Sequence, residues 1–247
     1  MSVAEAITLV ISVWIIYVSD RVLDGCTGTD QAELAERHLF CSRYRFPLIG
    51  LVAVAGAVIF WLATCRLHAV ETLAGVKLGL ILLLYMAIIH VGRGRVVWAL
   101  PKEIAVGFLF AFGTTLPCWS KSTGFSWSNA FPCFLFALLC SLNCVSIECW
   151  ENHRRGGVWR RPPNPLVHWA DSRINSIAAV LACGAMAASV WEDPRGSSSS
   201  SLLPVSLGAL LLLLLNCARN RISERSLRVL ADVALVVPAL IALVVRG

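Results

Sequence analysis

Charge is scarce in this chain. Only 15% of its 247 residues are Asp, Glu, Lys or Arg, while 57% are hydrophobic, and the mean hydropathy is +0.74. A soluble domain balances one apolar core against a polar surface, so this composition excludes water as the main solvent. No polar stretch is long enough for a separate soluble domain. The ten cysteines include no CxxC pair, and most lie in or beside apolar runs, where they read as small apolar residues and not as a disulfide frame. His38 and Cys41 could begin a zinc pattern, but no second ligand pair follows at usable spacing. The start of the chain has neither a basic n-region nor an A-x-A site, so the first apolar run is expected to be a retained span, and nothing indicates lipidation. The net charge of +6 comes from basic residues in short gaps between apolar runs, without a nucleic-acid module around them, so no nucleic-acid partner is expected.

What the chain has is a series of eight apolar runs, at about 3–19, 47–65, 70–91, 101–117, 130–151, 174–191, 202–217 and 228–246. A helix crosses the ~30 Å hydrocarbon layer with roughly 20 mainly apolar residues, so the expected fold is all-α, a polytopic transmembrane bundle of about eight spans in one domain, 1–247. The fourth run is the weakest, since it needs Pro101, Lys102 and Glu103 at the interface to complete its length, and a half-buried helix is the alternative there. Arginines and lysines crowd the connections after runs one, three, five and seven. The positive-inside rule makes these connections cytoplasmic, both termini external and Ser197 to Ser201 an outer loop.

Two polar clusters fall at the cytoplasmic ends of spans. Asp20 and Asp24 lie one turn apart at the end of run one, where two carboxylates repel unless a hard cation such as Mg2+ bridges them to phosphate oxygens. The alternative is a pair of solvated charges with Arg21 as partner. At the end of run five stand Asn143, Glu148, Glu151, Asn152 and His153. Asn143 and Glu148 are costly inside a span unless they meet a polar cavity, and two acidic patches on one side suggest one shared cavity. A helix–helix hydrogen bond for Asn143 and snorkelling for the glutamates is the other reading. Lys102, beside the free amides of a helix start, is a diphosphate candidate as well as an ordinary topology marker. Trp14, Tyr17, Trp98 and Trp150 are aromatics near the same side, fit for cation–π contacts or for interfacial anchoring.

The stretch Asp20-Arg21-Val22-Leu23-Asp24-Gly25 resembles the end of the first aspartate-rich motif of the UbiA superfamily of intramembrane prenyltransferases, N-x-x-x-D-x-x-x-D. The order of elements is similar too: that family's two motifs follow its second and sixth spans, and here the clusters follow runs one and five, as in a shortened member lacking the first helix. The Lys102-Glu103 run, with Gly107 and Gly113-Thr114-Thr115-Leu116-Pro117, resembles the helix between the motifs. The chain departs from the pattern at Ile16, where the family has Asn, and in the second motif, where Asn143-Cys144-Val145-Ser146-Ile147-Glu148-Cys149-Trp150-Glu151 replaces D-x-x-D-x-x-x-D. Asn143 and Glu151 have the outer spacing of the N-x-x-x-S-x-x-x-E motif of class I terpene cyclases, with Ile147 in the middle.

The resemblance implies a magnesium-dependent prenyltransferase that ionises an isoprenyl diphosphate and passes the prenyl group to an aromatic or lipid acceptor. Asp20, Asp24, Asn143 and Glu151 are the implied catalytic metal ligands, with Glu148 as a further member, and Lys102, Arg21, Arg43 and Arg45 the implied diphosphate binders. A terpene cyclase of the same superfamily would need a similar metal site. A small transporter is the third reading, though apart from Lys77 and Asp232 the charges cluster on one side and no inverted repeat is evident. The lipid bilayer is the expected environment, with the site facing the cytoplasm across a bacterial inner membrane, and no protein partner is indicated.

Overall fold

The computed structural model describes residues 2–27, 43–91, 101–120, 127–154, 165–191 and 202–246. Among the described residues there are nine helices and no strand: α1 (Val3–Thr27), α2 (Arg45–Cys65), α3 (Ala69–Val91), α4 (Lys102–Ser120), α5 (Trp127–Arg154), α6 (Pro165–Asp171), α7 (Ile174–Trp191), α8 (Leu203–Ala218) and α9 (Glu224–Arg246). Each of the eight apolar runs falls on one helix, and the fold is all-α as expected. The ninth helix, α6, lies in the arginine-rich connection after run five. Its seven residues start on a proline, whose fixed φ suits a first turn, and are too few for a periodic signal.

Among the described residues, three helical segments, Val3–Asp20, Arg45–Cys65 and Asn129–Arg154, are long and apolar enough to cross a membrane. A fourth is added if α6 and α7, bent by 83° at Ser172 and Arg173, form one broken span. These helices fit an integral membrane protein. Helix α8 is apolar but only 16 residues long.

The chain divides into two compact units. The first contains α1 to α3 and the second half of α4. Its start is a reciprocal capping box: the Glu5 amide donates to Ser2 Oγ at 3.2 Å, and the Ser2 amide donates to Glu5 Oε2 at 3.1 Å. Helix α1 packs on α2 and, more lightly, on α3. The α2–α3 turn is closed by Arg66 and Leu67, whose amides both reach the Leu62 carbonyl, and by the Thr72 hydroxyl, which donates to the Ala63 carbonyl at 3.1 Å. Phe46, Ile49, Leu51, Val54, Phe60 and Trp61 all stand exposed on α2, and a helix apolar on its exposed sides belongs in lipid or against other helices.

The second unit is built around α5, with α6 to α9 and the first half of α4. Helices α7 and α8 pack closely because Ala178, Ala182 and Ala185 line one face of α7, and the Ser206 hydroxyl of α8 donates to the Ala182 carbonyl at 2.9 Å. Two glycines mark where backbones nearly touch. A Cβ on Gly208 would lie 2.9 Å from Leu139 Cδ2 of α5 and 3.0 Å from the Ala234 carbonyl of α9. A Cβ on Gly107 would lie 2.5 Å from the Ser141 backbone nitrogen, so α4 crosses α5 at a point only glycine permits. There the Ser141 hydroxyl donates to the Ala137 carbonyl at 2.8 Å and lies 3.3 Å from that of Ile104.

Candidate functional site

The last three turns of α5 bury most of the second cluster, leaving Glu148 half-buried and His153 exposed. Asn143, Ser146, Glu151 and Asn152 are buried alongside Leu142, Val145, Cys149 and Trp150. Burying such groups is costly unless each is matched, so their partners decide what they can do.

Helix α9 supplies two of those partners, one turn apart on its own face. Arg228 Nε lies 2.8 Å from Glu151 Oε1, out of line for a directed hydrogen bond, and the same guanidinium also meets Glu224 on α9. Glu151 is 4% exposed, so its charge needs matching, and Arg228 supplies a counter-charge. Further along, the Asn143 amide Nδ2 donates to Asp232 Oδ1 at a long 3.4 Å. A carboxylate only accepts, so the amide nitrogen faces it, and Asn143 Oδ1 is left buried with no hydrogen-bond partner among the described residues. Ser146 Oγ and Asn152 Oδ1 are buried in the same condition.

A second set of bonds ties α5 to α8 and α7. Trp150 Nε1 donates to Asn216 Oδ1 at 2.7 Å, and Asn216 Nδ2 donates to Asn175 Oδ1 at 2.7 Å. Trp150 is therefore a buried structural anchor. The Arg154 guanidinium donates to the Arg219 carbonyl at 2.8 Å and to that of Ile222, satisfying carbonyls beyond the end of α8. His153 Nδ1 lies 3.1 Å from the Cys149 carbonyl and 3.6 Å from Asp171 Oδ1 at the end of α6.

The expected site residues divide between the units. In the first, Asp20 is half-buried on α1, while the side chains of Arg21 and Asp24 lie outside the described residues, as does Trp98. Arg43 and Arg45 are exposed, with their guanidinium carbons 5.9 Å and 4.7 Å from the rings of Tyr44 and Phe46. Trp14 lines an apolar groove of about 350 Å³ between α1 and α2, with Val10, Ile11, Leu51, Val54 and Val58. In the second unit, Lys102 is half-buried at the first position of α4, where the Pro101 carbonyl accepts the Ala105 amide at 3.1 Å. Asn143, Glu148 and Glu151 share α5, with Glu148 half-buried. Among the described residues no three of His, Cys, Asp and Glu group as a metal site.

Sequence reasoning missed Arg228 and Asp232 as members of this cluster. The signal for Asp232 was present, since it is a lone carboxylate inside an apolar run. Arg228 was legible only as a marker of the cytoplasmic side. As oxygen donors for Mg2+, the residues fit in part: Asn143 Oδ1 is buried, polar and without a partner, whereas the Glu151 charge is already matched by Arg228. No family model, no curated protein and no solved structure matches the chain.

Proposed function

We propose that this chain is an eight-span, UbiA-like intramembrane enzyme that ionises an isoprenyl diphosphate and transfers the prenyl group to an aromatic or lipid acceptor, with its site on the cytoplasmic face of a bacterial inner membrane. One observation carries the reading: α5 is long and apolar enough to cross a membrane, yet it buries Asn143 with an amide oxygen that has no partner among the described residues. A polar atom left so in a low-dielectric setting is costly, and a ligand that it coordinates repays that cost.

Bound Mg2+ would neutralise the leaving diphosphate and so lower the barrier to breaking the carbon–oxygen bond. The donors this reading needs are the carboxylates of Asp20 and Asp24 in the first unit and the oxygens of Asn143, Glu148 and Glu151 in the second. Lys102, Arg21, Arg43 and Arg45 bind the diphosphate and match its growing charge. The α1–α2 groove is wholly apolar and suits an isoprenoid chain; Trp14 in its wall is about 9 Å along α1 from Asp20 at 1.5 Å per residue. The same apolar surroundings keep water from an allylic cation.

The test is incubation of the purified protein with Mg2+ and allylic diphosphates of several chain lengths, with and without membrane lipid extract. Diphosphate release that requires the extract is expected. Release without it, giving a cyclic hydrocarbon or alcohol, makes the chain a terpene cyclase instead, and no release from any allylic diphosphate overturns the reading.

A further inference from the structure

Helix α6 carries more apolar surface than the second unit covers. Val167 and Ala170 are buried in the core that α6 shares with α5 and α7, while Leu166 and Trp169 stand exposed. At about 100° per residue these four side chains form one continuous arc, running from Trp169 through Leu166 and Ala170 to Val167, and the exposed His168 lies opposite its centre. The exposed apolar pair is therefore an extension of the buried face, with a polar back. Helix α6 also meets α7 at 83°, so where α7 crosses a bilayer α6 lies along the bilayer surface.

The corner between the two helices supplies the charge. Arg173 is exposed there, with its guanidinium carbon 5.0 Å from the Trp169 ring, and its Nη1 donates to the Trp169 carbonyl at 3.4 Å and to Ser172 Oγ at 3.2 Å. Its Nε and Nη2 have no partner among the described residues. The Trp150–Asn216–Asn175 bonds hold the start of α7 beside the end of α8, which brings the exposed Arg221 to the same end of the unit. Nearby acids are already engaged: Glu151 and Glu224 meet Arg228, and Asp171 lies 3.6 Å from His153. A tryptophan and an arginine held together above an apolar edge suit the layer where head groups meet acyl chains, and the surplus positive charge favours anionic lipid. We propose that α6 is an interfacial helix that binds an anionic phospholipid, with Leu166 and Trp169 at the acyl boundary and Arg173 on the phosphate. This rests on α7 being the crossing arm of the broken span, and it stands or falls independently of prenyl transfer.

The test uses the full chain, labelled with fluorotryptophan, in nanodiscs of phosphatidylcholine and phosphatidylglycerol, with the Trp169 fluorine resonance identified by its loss in Trp169→Phe. A nitroxide near the top of the lipid acyl chain should broaden this resonance more than a nickel chelate in water does. Replacing phosphatidylcholine with phosphatidylglycerol should shift it. In Arg173→Gln the initial shift per added phosphatidylglycerol should fall about five-fold, the loss expected for one basic side chain at an anionic surface. Arg173→Lys should recover most of the response, which separates loss of charge from loss of shape, and Arg66→Gln in the first unit should leave it within about two-fold. Stronger broadening from water than from lipid, no shift with phosphatidylglycerol, an unchanged response in Arg173→Gln, or no recovery in Arg173→Lys overturns the proposal. Protection of Trp169 from both reagents means that protein covers α6 and overturns it too. An equal shift on adding inorganic phosphate to phosphatidylcholine nanodiscs does the same, making Arg173 a site for free anions.

Discussion

Helices α2 and α5 look alike by length and hydropathy, and both can cross a membrane, yet 6% of the α2 segment is buried inside the protein and 50% of the α5 segment. Hydropathy measures whether a helix tolerates hydrocarbon, and it is blind to whether that hydrocarbon is lipid or another helix. The two helices differ in what they place at close range. On α2, Gly50 and Gly56 have open space where a side chain would begin, while α5 receives Gly107 and Gly208 from its neighbours at distances that admit no Cβ without movement. The second unit is held by packing and buried polar bonds, whereas α2 presents its apolar side chains outward.

The largest expected effect sharpens this contrast directly. Gly208→Leu should destabilise the protein by about 3 kcal/mol, since Leu139 and the Ala234 carbonyl already fill the space, and overpacking of a tight core costs this much. Gly56→Leu on α2 should change stability by less than about 0.5 kcal/mol. Reversible unfolding in bicelles measures both, and equal losses at the two sites would erase the distinction between the helices.

Next in size is the buried ion pair. Glu151→Gln should cost about 2 kcal/mol, because Arg228 loses a buried partner but keeps Glu224. Arg45→Gln in the first unit, where the guanidinium is exposed and lies over the Phe46 ring, should cost less than about 1 kcal/mol. A silent Glu151→Gln would mean that the α5–α9 pairing contributes no stability.

The smallest effect concerns a single bond. Trp150→Phe retains the ring burial but removes the donor to Asn216, and about 1 kcal/mol should be lost. Asn216 Oδ1 keeps a 3.4 Å contact from Arg219, which limits the penalty. No measurable loss in the same unfolding assay would show that the Trp150–Asn216–Asn175 chain is not a stabilising link between α5, α8 and α7.

The helices were legible because each apolar run is long enough to form one, although among the described residues only three, or four with α6 and α7 as one broken span, are long and apolar enough to cross a membrane. Short α6 escaped, having only seven residues. The site was legible as residue types: Asn143 and Glu151 are conspicuous in an apolar run. Their partners were not, since Asp232 is 89 residues from Asn143, and nothing local to either says that they meet.

By itself the sequence determined the class of fold. Apolar runs with scarce charge favour helices that satisfy their own backbone, and the described residues are all-helical. Only the tertiary structure decided which polar groups neutralise one another. It gave the Glu151 charge to Arg228, turned Asn143 toward Asp232 and left an amide oxygen over, because pairing energy depends on distance and burial across helices, and sequence spacing contains neither.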